Sequence, residues 1–464
     1  MRRPSRTGLS WVFVLLANFP SIAQNLESIG QEKPLSFAGG LSFNQVFYSS
    51  DGITSRRDPY SYFASGNLNL SLYGWSVPLS FSISNRSTTF SQPFNQYSLH
   101  PTWKWISAHA GYTSMSFSPY TVNGHIFSGF GVDLAPEGNW KLSALYGRFL
   151  RAVEADTTQT QSVLPAYQRT GYGLKATYGN GRNFIDLIVF RAEDEERSIP
   201  LLPDSLKITP QENLVLSVAG GKSLFKHFLL RAELAASAIT KDTRSEKHNH
   251  DHPLATFPLL LQPRLSTAFY HALKTSFDYQ RNDWTVGLAY ERIDPGYRTL
   301  GAYYFNNDLE NITINGTTRL LDETINIAAS GGVQQDNLDN NKVSTMRRMV
   351  GSMNINYMTS RRLNISASWS SFQTYTNIRS RFETINQLTP YDNLDTLNFT
   401  QISRNASLSG VYTLPGPEKK AQNISINISW QDAADKQGEV QQHSGTHFFN
   451  INTGYSLTLA PRNM

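Results

Sequence analysis

Hydrophobic and polar residues alternate along much of the chain with a period of two. Over residues 60–72 the even positions are mostly apolar and the odd positions mostly small and polar, and over 75–84 the phase is reversed. The same alternation returns at 363–370, 423–430 and 449–459. Because successive side chains of a β-strand point to opposite faces, this pattern predicts strands with one apolar and one polar face.

The predicted strands are long, and short and long connections alternate between them. Runs of about 10 to 14 residues suit a tilted strand that crosses a bilayer, whereas strands of soluble proteins usually have about five or six residues. Short turns are expected near 73–75, 104–105, 135–139, 179–182, 220–224, 280–283, 318–321, 359–362 and 415–420. Longer connections are expected at 50–59, 87–95, 118–122, 152–167, 193–212, 238–262, 294–300, 335–343, 375–397 and 432–445. Outer-membrane barrels show this asymmetry between their two ends.

The pattern therefore predicts an all-β fold, a transmembrane antiparallel up-and-down β-barrel of about 20 strands (roughly 18–22) with short periplasmic turns and long external loops. The apolar faces should meet lipid, with Leu70, Leu79, Ile365 and Ile426 outside and Asn69 and Ser366 in the lumen. A closed barrel requires residues 449–459 to pair with residues 35–47, since hydrocarbon does not tolerate unpaired strand edges. The alternative is a chain that lacks further hairpins and leaves both edges partly unpaired.

Tryptophans lie near the ends of the predicted strands, as expected for the aromatic girdles of a membrane barrel. The competing interpretation is burial in a soluble core. The candidate girdle comprises Trp75, Trp103, Trp105, Trp140, Trp284, Trp369 and Trp430.

The N-terminal residues indicate export. Residues 1–23 combine a basic start, an apolar stretch and small residues before a cleavage site, which is typical of a signal peptide. A membrane anchor is the alternative, but Asn18 and Pro20 interrupt the short apolar run. The remaining chain divides into a short periplasmic segment at 24–34 and the barrel at 35–464.

Composition narrows the function. Charged residues make up 17% of the chain, against about 25% in an average soluble domain. Without the three arginines of the signal peptide, 41 − 3 = 38 basic residues face 36 acidic ones, so we expect no nucleic-acid partner. The absence of cysteine excludes disulfides, thiol nucleophiles and thiolate metal sites.

Part of the sequence is similar to a known group of proteins. The stretches PYSYFASGNLNLSLYG, QPFNQYSLHPTWKWISAHAGYTSMSFSPY and GHIFSGFGVDL, with the later NINYMTSRRLNISASWS, resemble uncharacterised outer-membrane β-barrel proteins of the Bacteroidota. The resemblance implies a compartment and an architecture. It carries no catalytic or binding motif.

Candidate chemistry is sparse. Titratable residues on polar strand faces should project into the lumen, where they either bias solute passage or pair internally and stiffen the wall; they are Asp186, Arg231, Glu233, Asp283, Glu291 and Arg348. The tract KHNHDHP carries His248, His250 and His252, which could bind Zn, Cu or Ni, but a solvated loop is the better interpretation.

No enzymatic motif is present, so we predict neither an enzyme nor a cofactor. A TonB-type receptor is disfavoured because about ten residues between the cleavage site and the first strand leave no room for a folded plug. A lumen lined by Ser, Asn, Thr and Gly predicts a passive, porin-like channel for small polar solutes. The alternative is a non-conducting barrel that anchors cell-surface or secretion proteins through its external loops.

Overall fold

A computed structural model describes residues 35–49, 58–72, 75–85, 95–154, 165–199, 208–256, 260–322, 324–339, 341, 347–359, 362–374, 400–415, 420–437, 440–441 and 445–459. The predicted signal peptide at 1–23, the segment 24–34 and the connection 375–397 lie outside these residues. In the described part of the chain, no helix is both long enough and apolar enough to span a membrane. One short 3₁₀ helix occupies Pro253–Thr256.

The described residues form 23 strands of one sheet. They are β1 Leu35–Phe47, β2 Tyr60–Leu72, β3 Trp75–Ser84, β4 Gln96–Leu99, β5 Thr102–Trp103, β6 Ile106–Ser116, β7 Val122–Leu134, β8 Trp140–Leu150, β9 Arg169–Asn180, β10 Asn183–Asp194, β11 Glu212–Leu224, β12 Phe228–Thr240, β13 Thr267–Arg281, β14 Trp284–Ile293, β15 Gly301–Ala302, β16 Leu309–Leu320, β17 Ile325–Gln335, β18 Arg347–Thr359, β19 Leu363–Thr374, β20 Thr400–Thr413, β21 Lys420–Gln437, β22 Val440–Gln441 and β23 Thr446–Leu459.

Consecutive strands pair antiparallel along the whole sheet. In this part of the chain β4 and β5 share one traverse, and the two-residue strands β15 and β22 lie within connections, which leaves 20 traverses. β15 is the exception to the antiparallel rule, because it pairs parallel with β7. The predicted fold class, an up-and-down antiparallel β-barrel of about 20 strands, is confirmed.

The alternation of connection lengths is also confirmed. Nine connections of two to six residues alternate with ten of five to 26 residues, counted between the strand bounds above. The turn expected near 220–224 lies instead at 225–227, because β11 continues to Leu224 and Phe225 and Lys226 adopt positive φ angles of 47° and 67°. The sequence FKH carries no glycine or asparagine that would mark such a turn.

Register fixes which side chains share a face. Leu70 pairs with Val77 and Ile426 with Gly410, on the outward face, and the neighbouring Asn69 and Asn427 share the opposite face. Exposure does not separate the two faces here, because Asn69 and Asn427 are exposed as well as Leu70 and Ile426. The register confirms the predicted division into an apolar and a polar face, and contact of the apolar face with lipid stays a prediction.

The predicted pairing of 35–47 with 449–459 is wrong. Among the described residues β1 pairs with β2 alone and β23 with β21 alone, and no ladder joins Leu35–Phe47 to Thr446–Leu459. Every residue of β1 is exposed on both faces. Alternation of apolar and polar residues indicates which face each residue takes, but it contains no signal for pairing between the first and last strands. A ladder between β1 and β23 would also have the largest loop-closure cost in the sheet.

Candidate functional site

The connection between β14 and β16, residues 294–308, crosses the inside of the barrel, and we call it the strap. Thr299 Oγ1 donates to the carbonyl of Thr121 at 2.6 Å, and the Leu300 amide donates to Asn213 Oδ1 at 3.0 Å. β15, within the strap, adds to the edge of β7. The strap thus connects strands that lie far apart in the sheet order, which defines the inward face of the wall.

The polar groups beneath the strap are buried and paired. Asn213 Nδ2 donates to Ser237 Oγ and to the carbonyl of Ala238, each at 2.9 Å. Ser237 Oγ in turn donates to the carbonyl of Arg298 at 2.6 Å. Asn213 and Ser237 are 0% exposed, so this network replaces the water that their polar atoms would otherwise require.

A hydrophobic cluster fills the inside of the barrel next to the strap. It comprises Met115, Phe117, Val122, Phe127, Leu145, Phe149, Ile188, Phe190, Ala192, Val215, Ile239 and Leu300. Two inward glycines make room for the rings: a Cβ on Gly171 would lie 2.9 Å from Phe149, and one on Gly173 would lie 2.8 Å from Phe117. The sector from β6 to β13 is therefore packed at its long-connection end.

Two buried tyrosines join the strap to the connection before β7. Tyr297 Oη donates to the carbonyl of Tyr120 at 2.8 Å, and Tyr120 Oη donates to Glu291. Burial raises the pKa of both phenols well above the usual range, and the Glu291 carboxylate raises that of Tyr120 further. Both hydroxyls therefore remain protonated donors at any physiological pH.

Four of the predicted lumenal charges lie on the inward face, and each contacts a polar partner. Asp186 lies 3.0 Å from Lys175 Nζ, which also donates to the carbonyl of Phe117 at 3.1 Å. The other three contacts are Ser217 Oγ to Glu233 at 2.9 Å, Arg231 to Asp278 at 3.9 Å, and Lys274 to Glu291 at 3.8 Å.

The other two predicted positions differ. Asp283 lies in the two-residue turn between β13 and β14 rather than on a strand face, because the strands end one residue on either side of Asn282 and Asp283. Arg348 lies opposite Gln334 in the ladder of β17 and β18, and its side chain is outside the described part of the chain.

The rest of the inward wall, from β16 to β23, is lined by small polar side chains. One ladder row runs across five neighbouring strands through Asn354, Ser368, Ser407, Ser429 and Asn450. Ser368 Oγ and Ser407 Oγ in this row are 2.7 Å apart. Among the described residues, no buried hydrophobic cluster includes a residue of β17 to β23. We call this part of the inner wall the polar sector.

Five of the predicted girdle residues border short connections, whereas Trp369 and Trp430 lie within β19 and β21. Trp75 stacks on Trp103 with ring centroids 5.3 Å apart, and Trp140 contacts Tyr178. Trp105, Trp284, Trp369 and Trp430 are exposed on the outside. Their role as a membrane girdle stays a prediction.

Five of the seven residues of KHNHDHP are exposed, as expected for a solvated loop, and two of its histidines also contact the wall. His252 stacks on Phe269 at 4.1 Å, and His250 Nε2 bonds the carbonyl of Arg264 at 2.9 Å. Leu254 and Leu261 of the same connection bury Leu214 and Ala238 on the outward face. Within the described residues, no group of three or more His, Cys, Asp or Glu side chains is placed to hold a metal.

Sequence reasoning missed the strap and the lysines that pair with the predicted acids. The segment DPGYRTLGAYYFNND does not alternate, and we expected only a loop at 294–300. The feature of the sequence that could have indicated the strap is its cluster of aromatic residues, which is unusual for a solvated loop. The cluster comprises Tyr297, Tyr303, Tyr304 and Phe305.

No family model and no curated protein matches the sequence. Among solved structures, OccK2 (OpdF) of Pseudomonas aeruginosa in complex with glucuronate is 9% identical and has a TM-score of 0.37, with 91% of this chain and 96% of that chain covered. The outer membrane protein OprD of the same organism is 10% identical, with a TM-score of 0.36 and coverage of 91% and 93%. A BenF-like porin from Pseudomonas fluorescens Pf-5 is 10% identical, with a TM-score of 0.35 and coverage of 91% and 97%.

Proposed function

We propose that the protein is an integral outer-membrane β-barrel that acts as a passive channel for small, uncharged polar solutes. Exposed Leu, Ile and Phe residues cover the outward face, and an exposed apolar surface of this extent requires lipid around it. The affiliation with Bacteroidota barrels that the sequence suggests is part of this proposal.

The observation that carries the proposal is the polar sector. Serine and asparagine side chains offer both donors and acceptors, so they can replace the hydration of a sugar-like solute without binding it tightly. The hydrophobic cluster between β6 and β13 narrows the lumen but leaves the inner wall from β17 to β23 uncovered.

The inward charges favour uncharged solutes. Lys175, Lys274 and Arg231 each lie within 4 Å of a carboxylate oxygen, so the fields of these three pairs of opposite charges partly cancel. A wall with paired charges gives little steering to a free anion or cation.

Liposome swelling tests the proposal directly. Vesicles that contain the refolded protein should swell in isosmotic solutions of uncharged mono- and disaccharides, at rates that fall as the sugar becomes larger. Empty vesicles and vesicles with a heat-denatured sample are the controls. Swelling no faster than in empty vesicles, with heat-modifiable gel mobility showing a folded barrel, would favour the alternative, a non-conducting scaffold for surface or secretion proteins.

A further inference from the structure

Four side chains on the inward wall form a continuous chain of contacts that the proposed channel does not use. Ser143 Oγ donates to Asp133 Oδ1 at 2.5 Å, and His109 Nε2 lies 3.0 Å from Asp133 Oδ2. On its other side, His109 Nδ1 lies 2.9 Å from His100 Nδ1. The chain therefore ends in two imidazole nitrogens that face each other.

The ladders explain this arrangement. Asp133 of β7 pairs with Ser107 of β6 and with Ser143 of β8, so its carboxylate lies on the same face as His109, two residues along β6. His100 follows β4 directly and approaches His109 from the neighbouring strand. All of these residues lie toward the short-turn end of the barrel.

Asp133 fixes the chemistry of His109. A carboxylate can only accept here, so His109 donates its Nε2 proton and leaves the Nδ1 lone pair directed toward His100. The same arrangement, in which a carboxylate holds the distal nitrogen of a histidine, orients and strengthens histidine ligands in metalloproteins.

We propose that His100 and His109 form a binding site for a divalent transition metal on the inner wall, with Cu(II) or Ni(II) as the preferred ion. Two nitrogens bound at about 2.0–2.1 Å at a right angle, the cis arrangement of a square-planar ion, are about 2.9 Å apart. The two Nδ1 atoms already have this separation, but in the metal-free protein His100 Nδ1–H donates to His109 Nδ1. Binding therefore requires His100 to carry its proton on Nε2 instead, and both rings to turn until their Nδ1 lone pairs meet at the ion.

The site is accessible from the lumen. The His109 side chain is 19% exposed, and His100 lines a cavity together with Asn69 and Ser80. Water can therefore occupy the remaining coordination positions. Since imidazole suits Cu(II) and Ni(II) better than it suits Ca²⁺ or Mg²⁺, the site should discriminate against these two hard cations.

Titration of the purified, folded barrel with Cu(II) alone tests this inference, and the protein must carry no polyhistidine tag. Electron paramagnetic resonance of the bound ion should show coordination by two imidazole nitrogens. His109→Asn and His100→Asn should each abolish this spectrum, and Asp133→Asn, which keeps both ligands, should weaken binding about 10–100-fold. His227→Asn, in the turn between β11 and β12, is the matched control and should bind Cu(II) like the parent.

The histidine tract supplies the competing site. If the two-nitrogen spectrum survives in His109→Asn and disappears in the triple variant His248→Asn/His250→Asn/His252→Asn, the inference is wrong. Heat-modifiable mobility of each variant separates loss of the site from loss of the fold. The measurement does not depend on conductance, so failure here leaves the proposed channel untouched.

Discussion

Replacement of Tyr297 by Ala should release the strap from the inner wall. Tyr297 is 0% exposed and packs against Tyr120 and Phe305, so truncation of its ring leaves a cavity and removes the bond to the Tyr120 carbonyl. Comparable truncations of a large aromatic cost about 3–5 kcal/mol. Since the strap can detach while the strands stay paired, we expect a local opening rather than unfolding of the barrel.

Hydrogen exchange of the strap measures this opening. The Leu300 amide, which donates to Asn213, should exchange about 10²–10⁴-fold faster in Tyr297→Ala, the factor that corresponds to this free energy. Tyr297→Phe keeps the ring and loses the hydroxyl bond, so its effect should be about tenfold. Equal protection of the strap in the parent and Tyr297→Ala would show that it is held by other contacts.

The second large effect should follow from a charge on the outward face. Ile426→Arg should lower the free energy of unfolding by about 2–4 kcal/mol in lipid vesicles, because Arg at the middle of a bilayer is poorly solvated. Asn427→Arg, the next residue on the same strand, faces inward and should cost less than about 1 kcal/mol. Equilibrium unfolding in urea provides the comparison.

Equal losses of stability in the two variants would contradict the assignment of the faces. A larger loss in Asn427→Arg would reverse it, and the polar sector would then face lipid.

The wall of the barrel could be predicted from the sequence because its determinants are local. Alternation at Ile424, Ile426 and Ile428 fixes the face of each residue, and every hairpin brings together strands that are neighbours in the chain. The turn at Phe225 was misplaced by a few residues because backbone conformation there does not follow residue preference.

The interior could not be predicted because its determinants are distant in sequence. Thr299 finds its partner at Thr121, and Lys175 finds the carbonyl of Phe117, only after the wall has curved. Lys175 and Asp186 lie in one hairpin, and their contact depends on the exact register of β9 and β10. His100 and His109 form no recognisable sequence motif, because these two histidines become neighbours only through the pairing of β4 with β6. The missing pairing between β1 and β23 belongs to the same class of long-range contact.

The central claim is that the polar sector lines an open passage, and cysteine modification in planar bilayers tests it most directly. The chain has no cysteine, so Ser409→Cys on the inward face and Leu408→Cys on the outward face each introduce a single thiol. We expect stable open steps from both variants. A bulky, water-soluble thiol reagent should lower the conductance of Ser409→Cys stepwise and leave Leu408→Cys unchanged. Folded protein that gives no steps, or a conductance of Ser409→Cys that the attached reagent does not alter, would contradict the account.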